Sequence, residues 1–220
     1  MQETSKARYV PALGFHFLTP FYDAVVATTG RERSVKQALI KQADLEPEQQ
    51  ILDLGSGTGT LAIWIKQHQP HARVTGVDGD LKIISIASSK AQKANTQVQF
   101  DQALSDSLPY PEAQFDRVFS SMFFHHLLWE DKVRTAQEIF RVLKPGAELH
   151  VADWGRASNI CMRGLFLTVQ LLDGFKSTQD HVKGKLITLF EESGFVDVSQ
   201  RKTFNTLYGT IALYSATKPS

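Results

Sequence analysis

The chain has 220 residues, 42% of them hydrophobic and 21% charged, a length that can bury a core without disulfides or metals. Lys and Arg number 24 against 23 Asp and Glu, so no net field exists to hold nucleic acid or an anionic membrane. The single cysteine, Cys161, excludes an intrachain disulfide and any multi-cysteine zinc site.

In chain order, Met1 to Arg8 are polar and lead into no apolar signal core, and no apolar run approaches the ~18 residues of a spanning helix. A cytoplasmic protein without integral membrane association is expected. Tyr9 to Thr29 is rich in aromatics (Phe15, Phe17, Phe21, Tyr22) but broken by Pro11, Gly14 and Pro20, which reads as an irregular or partly helical cap. Arg31 to Ala43 places Val35, Ala38, Leu39 and Gln42 at helical spacing, with Pro47 beyond the stop.

A repeating pattern follows. Strands are expected at Ile51–Leu54, Val74–Val77, Val98–Phe100, Phe115–Phe119 and Glu148–Ala152, with helices opening at Leu61 and covering Leu81–Ala94 and Asp131–Val142. Lys144-Pro145-Gly146 reads as a turn. Ile160 to Leu172 is largely apolar, Asp173 to Lys185 is polar, and Leu186 to Ser193 reads as a helix stopped by Gly194. Val196–Lys202 and Thr206–Thr217 read as a terminal hairpin around Phe204-Asn205. Strands alternating with helices at this spacing predict an α/β, Rossmann-like fold. The expected sheet has seven strands, mostly parallel, with helices on both faces and a terminal antiparallel hairpin. We expect one domain over residues 1–220: a helical cap (1–45), a cofactor-binding core (46–153), a lid segment (154–185), then the final helix and hairpin (186–220).

The most informative segment is Asp53-Leu54-Gly55-Ser56-Gly57-Thr58-Gly59, which leaves an apolar strand and enters a helix. Glycines there let the backbone turn tightly and approach a ligand, and the helix offers unpaired N–H groups. Asp78 ends the next strand about 20 residues later, where an acid can accept both hydroxyls of a ribose. Asp53 precedes the first glycine by two residues and can hold an ammonium group. A nicotinamide dinucleotide has no ammonium, and its G-x-G-x-x-G fingerprint is broken here by Thr60.

These residues resemble motif I of the class I S-adenosylmethionine (SAM) dependent methyltransferases. Val77-Asp78, Leu108-Pro109-Tyr110-Pro111 with Phe115-Asp116-Arg117-Val118, and Arg141-Val142-Leu143-Lys144-Pro145-Gly146-Ala147 resemble later motifs of the ubiquinone/menaquinone (UbiE-like) group. Phe21-Tyr22-Asp23 resembles its aromatic cap. The resemblance implies SAM as cofactor and S-adenosylhomocysteine as product. It implies a cofactor site at Asp53, Gly55, Ser56, Gly57, Gly59, Asp78, Gly79, Leu104, Ser105 and Ser120, with Tyr22 closing over it. One departure stands out: Leu104-Ser105 replaces an Asp-Ala pair whose acid meets the adenine amino group in many members. Asp101 and Asp106 are the nearby substitutes.

Methyl transfer from a sulfonium needs no covalent intermediate; holding the acceptor in line and excluding water suffices. A base is needed only if the nucleophile must lose a proton. His125 and His126 follow the fourth strand, where either could take that proton or simply pack and bond backbone. Asp153, ending the fifth strand, could bind an acceptor or cap the next segment. His150, within that strand, is expected to be structural. No His/Asp/Glu group has metal-ligand spacing in the sequence, so no metal is expected. The expected function is methyl transfer to a small, hydrophobic or aromatic molecule, quinone-like or polyketide-like. The rivals are a non-catalytic SAM-fold partner protein, a nicotinamide-dependent oxidoreductase, and an RNA or protein methyltransferase. The sequence leaves the oligomeric state open.

Overall fold

The computed structural model describes residues 31–220, so Tyr22 and the aromatic cap lie outside the described residues. Seven strands form one sheet in the order β3-β2-β1-β4-β5-β7-β6. They are β1 (Gln50–Leu54), β2 (Arg73–Asp78), β3 (Gln99–Gln102), β4 (Phe115–Ser121), β5 (Leu143–Trp154), β6 (Val196–Asn205) and β7 (Thr210–Thr217). The first five pair in parallel, and β7 runs antiparallel to both β5 and β6. This is the architecture expected from the alternating pattern. Seven α-helices are described: α1 (Glu32–Gln42), α2 (Thr60–His68), α3 (Leu81–Lys93), α4 (Trp129–Val142), α5 (Ile160–Asp173), α6 (Phe175–Val182) and α7 (Leu186–Glu192).

The sheet is buried on both sides, which is why β1 and β7 read as nearly unbroken apolar runs. On one face Leu52, Leu54 and Val118 pack with Ile139 of α4 and Leu189 and Phe190 of α7. On the other, Ile51 and Phe119 pack with Leu39 of α1 and Leu61 and Ile65 of α2. Two cores separated by one sheet fix each strand's register, because a one-residue slip would exchange the two sets of side chains.

Three boundaries differ from expectation. The Lys144-Pro145-Gly146 turn is instead the first part of β5, which is longer than its apolar centre; Gly146 N–H donates to the Lys218 carbonyl at 2.9 Å. The irregularity falls in the pairing of β4 with β5, between Phe115 and Arg117. The final hairpin turns at Thr206–Gly209 rather than at Phe204-Asn205: Phe204 pairs with Ile211, and Gly209 takes φ 145°, a region open to glycine. The polar stretch after Asp173 is also more regular than a loop, forming α6 directly after Gly174. Among the described residues, no helix is long and apolar enough to cross a membrane.

Candidate active site

After β1 the chain crosses to β2 and β3 on one side, then returns to β4 on the other. The carboxyl ends of β1 and β4 therefore border the crevice where open α/β sheets bind ligands. Ser120 braces this opening: its buried hydroxyl donates to the Leu54 carbonyl at 3.0 Å, joining the two strand ends.

Gly55, Gly57 and Gly59 all have positive φ (67°, 53° and 75°), so the loop depends on glycine for its path. Their surroundings separate them. A Cβ on Gly55 would stand 2.4 Å from Cδ2 of Phe123, and one on Gly59 would stand 2.7 Å from Cζ of Phe100. A Cβ on Gly57 would meet nothing within 4 Å. The outer two glycines thus seat the loop against aromatic rings, and the middle one lies on open space. The loop is closed by Ser56 N–H donating to the Val77 carbonyl at 2.9 Å, and Gly59 N–H to the Ser56 carbonyl at 3.0 Å. The Ser56 hydroxyl is buried with no hydrogen-bond partner, and its Cβ packs toward Gly76 of β2.

Two carboxylates flank the loop. Asp78 Oδ2 accepts from Gly57 N–H at 3.0 Å and its Oδ1 from Asp80 N–H at 3.1 Å, tying the end of β2 to the glycine turn. Burial raises its pKa, against those hydrogen bonds. Asp53 is 1% exposed, and its Oδ2 accepts from Ala62 N–H of α2 at 3.0 Å. Burial pushes the Asp53 carboxyl up to about 7, although Lys36 and the Ala62 N–H both favour its charge. A carboxylate held at such cost gains from a cation brought beside it. Gly79 follows Asp78 in the same turn, and its carbonyl accepts from Gln102 Nε2 at 3.2 Å.

After β3, Leu104 is 41% exposed, an apolar side chain facing outward. The Ser105 hydroxyl is 2.8 Å from that of Thr135 on α4. The two candidate substitutes are engaged elsewhere: Asp101 accepts from the Tyr110 hydroxyl at 2.9 Å, and Asp106 from Arg134 at 3.2 Å.

Beyond β4, Met122 adopts φ 57° and swings the chain out of the sheet into a single 3-10 turn, Phe124–His126. Asp153, fully buried at the end of β5, gathers this turn. Its Oδ1 lies 2.8 Å from His125 Nδ1 and accepts from Trp154 N–H at 2.7 Å, while Oδ2 accepts from Phe123 N–H at 3.1 Å. Burial opposes the charge, but His125, His181 and these donors hold the carboxyl well below its usual range. His181 donates from Nδ1 to the Trp154 carbonyl at 2.7 Å, and burial lowers its pKa to about 4. Burial, then the charge of His125, lowers His126 well below the ordinary histidine value. His150 is buried in β5, stacked on Phe119 with ring centroids 5.3 Å apart, as a structural histidine would be.

The fold thus brings Asp53, the glycine loop, Asp78 and Ser120 to one opening, with His125, His126 and Asp153 beside it. Sequence reading missed Asp173, whose Oδ2 lies 3.8 Å from His125 Nε2. It sits at the end of α5, and no local spacing signals that it returns to β4.

Residues 51–146 match a family model described as "Methyltransferase domain". This segment is a methyltransferase domain. Among the chain's relatives are methyltransferases of quinone biosynthesis. A demethylmenaquinone methyltransferase from Thermus thermophilus is 31% identical over 142 residues, a match covering 64% of this chain and 64% of the relative. The chain thus spans a little under two thirds of that relative's length. A ubiquinone/menaquinone biosynthesis C-methyltransferase UbiE from Syntrophotalea carbinolica is 27% identical, with 91% of each chain covered. In fold, the methyltransferase domain and its flanks are similar to the YcgJ protein of Bacillus subtilis, at TM-score 0.70 and 18% identity, covering 86% of this chain and 99% of that one.

Proposed function

We propose that this chain transfers a methyl group from SAM to a small hydrophobic or aromatic acceptor, quinone-like or polyketide-like. The observation that carries the reading is the open space at Gly57, with two carboxylates at its edges: Asp78, which accepts from the Gly57 N–H, and the buried Asp53, which accepts from the Ala62 N–H. SAM supplies an activated methyl on a sulfonium, beside an ammonium and a ribose. Asp53 would take the ammonium side, Asp78 the ribose hydroxyls, and the loop from Gly55 to Gly59 the backbone contacts. Gly79, Ser105 and Ser120 would line the cradle, and Leu104 would pack on the adenine without a hydrogen bond.

The acceptor side falls to the turn after β4. Asp153 fixes the imidazole of His125, and His126 lies against it with ring centroids 3.9 Å apart. Phe123, two residues before His125, packs over Gly55 and joins this pair to the glycine loop. The two relatives named as quinone-pathway methyltransferases favour an acceptor of that kind, and α5 and α6 are the expected lid. The near balance of charge supports neither nucleic acid nor an anionic membrane as partner, and a cytoplasmic location accords with this reading.

Calorimetric titration with S-adenosylhomocysteine, with NAD as control, tests the cofactor. Saturable one-site binding without NAD binding is expected. No binding of either would favour a fold kept for partner interaction; binding of NAD alone would favour the oxidoreductase.

A further inference from the structure

Three side chains that the cofactor cradle does not use converge beside it. One ligating atom from each of His125, His126 and Asp173 lies within 4.8 Å of the other two. His125 is 1% exposed, and its Nε2 has no hydrogen-bond partner. Asp153 accepts from Nδ1 at 2.8 Å, which in the neutral ring leaves Nε2 as a bare lone pair. That lone pair faces Oδ2 of Asp173 at 3.8 Å, too far for a hydrogen bond to bridge them. The Asp173 side chain is itself only 6% exposed. Lys132 is the buried cation nearby, and its ammonium is spent on the Ser177 carbonyl at 2.6 Å and Asp180 at 3.5 Å. Nε2 of His125 and Oδ2 of Asp173 thus face one another across a gap that no hydrogen bond spans.

We propose that His125, His126 and Asp173 bind a divalent first-row transition-metal ion, with Asp153 as the outer partner that orients His125. Bonds of about 2.0–2.2 Å to nitrogen and oxygen put neighbouring ligand atoms about 3–3.6 Å apart, so the cluster needs only a small contraction to close on an ion. Two imidazoles and one carboxylate suit zinc or ferrous iron; magnesium and calcium prefer oxygen throughout. Three protein ligands leave a position open, as in catalytic rather than structural sites. A carboxylate on the far nitrogen of a ligating histidine is the usual outer shell of such centres. Sequence spacing could not show this site, because Asp173 arrives from another helix.

The ion would border the cofactor cradle, since Phe123, which covers Gly55, lies two residues before His125. Its open position suits a phenolate or enolate oxygen of the acceptor, a link that rests on the methyl-transfer reading above.

The test uses untagged protein stripped with a chelator, titrated with Zn²⁺ by calorimetry and with Co²⁺ by visible absorption. One ion per chain and cobalt d–d bands are expected. Asp173→Asn and His126→Gln should each weaken binding by more than about 10-fold, the lower bound for losing even an outer-shell partner. A His68→Gln/His71→Gln double variant, changed at exposed positions, should keep it. Absence of saturable binding, retention of affinity in Asp173→Asn, or loss of it in the His68/His71 variant would each overturn the proposal. S-adenosylhomocysteine affinity, measured on the same samples, separates the two readings: its absence counts against methyl transfer alone and leaves the metal result standing.

Discussion

Gly55 lies directly beneath the ring of Phe123: a methyl group on Gly55 would stand 2.4 Å from Cδ2 and 2.9 Å from Cβ of that residue. The turn that begins the glycine loop and the turn that leaves β4 are thus a single packed unit. Gly55→Ala should therefore destabilise the fold by about 3 kcal/mol, combining left-handed strain with overpacking. Gly57→Ala meets open space and should cost only about 1 kcal/mol of strain. Urea unfolding gives the two stabilities. Gly57→Ala should still fold while losing most of its S-adenosylhomocysteine affinity, because its methyl group occupies the cradle.

Asp78 serves both loop and ligand. Asp78→Asn keeps one oxygen for the Gly57 N–H but cannot accept two ribose hydroxyls as well. We expect S-adenosylhomocysteine binding to weaken by at least about 10-fold, with Asp78→Ala weaker still. Unchanged affinity in calorimetry would remove this residue from the site.

Asp53 yields a pH dependence. Its carboxyl sits at about 7 in the folded chain, raised from an ordinary value of 3.8 chiefly by burial. A raised acid favours the folded state at low pH, and that advantage is lost as pH rises toward 7. In the ligand-free protein, Asp53→Asn should raise the melting temperature at pH 8 by roughly 5 °C and have much less effect at pH 5. The same variant should bind S-adenosylhomocysteine more weakly, since the charge that is costly without ligand is the one the ammonium needs. Melting curves at the two pH values, with and without ligand, check both halves.

Asp153 accepts from three donors: His125 Nδ1, Trp154 N–H and Phe123 N–H. Asparagine offers one oxygen and turns an amide N–H₂ toward a donor. Asp153→Asn should therefore lower stability by about 2 kcal/mol, the range for leaving a buried donor unsatisfied, and free the His125 ring to rotate. Chemical denaturation measures the first effect, and imidazole resonances in NMR the second.

The sheet was legible because two simple periods alternate along the chain, and because β1 and β7 must be apolar on both faces. The glycine loop was legible because three left-handed positions in five residues leave no other residue type comfortable. Ser120 and Asp78 followed from their places at strand ends. The rest depended on contacts that no local pattern encodes. Lys144-Pro145-Gly146 has turn composition but lies in β5, where its backbone is claimed by Lys218 at the other end of the chain. The role of Asp153 could not be read either, since acceptor contact and backbone capping look alike until Phe123, His125 and Trp154 are seen to meet around it. Asp173 left no trace, being one acid in a polar stretch.

The order of β5, β7 and β6 carries a further consequence. The strand that comes last in sequence, Thr210–Thr217, lies between two that precede it, and all but its final residue is buried. During synthesis β6 emerges with no neighbour to pair with, and β5 waits with a bare, apolar flank. Neither is satisfied until the final strand slots between them. The nascent chain therefore passes through a stage with two adhesive edges, when a chaperone or a second nascent copy competes for the same gap. A stop codon near residue 209 would make that stage permanent and yield an insoluble product, even though Asp53, Asp78 and His125 would all have been translated.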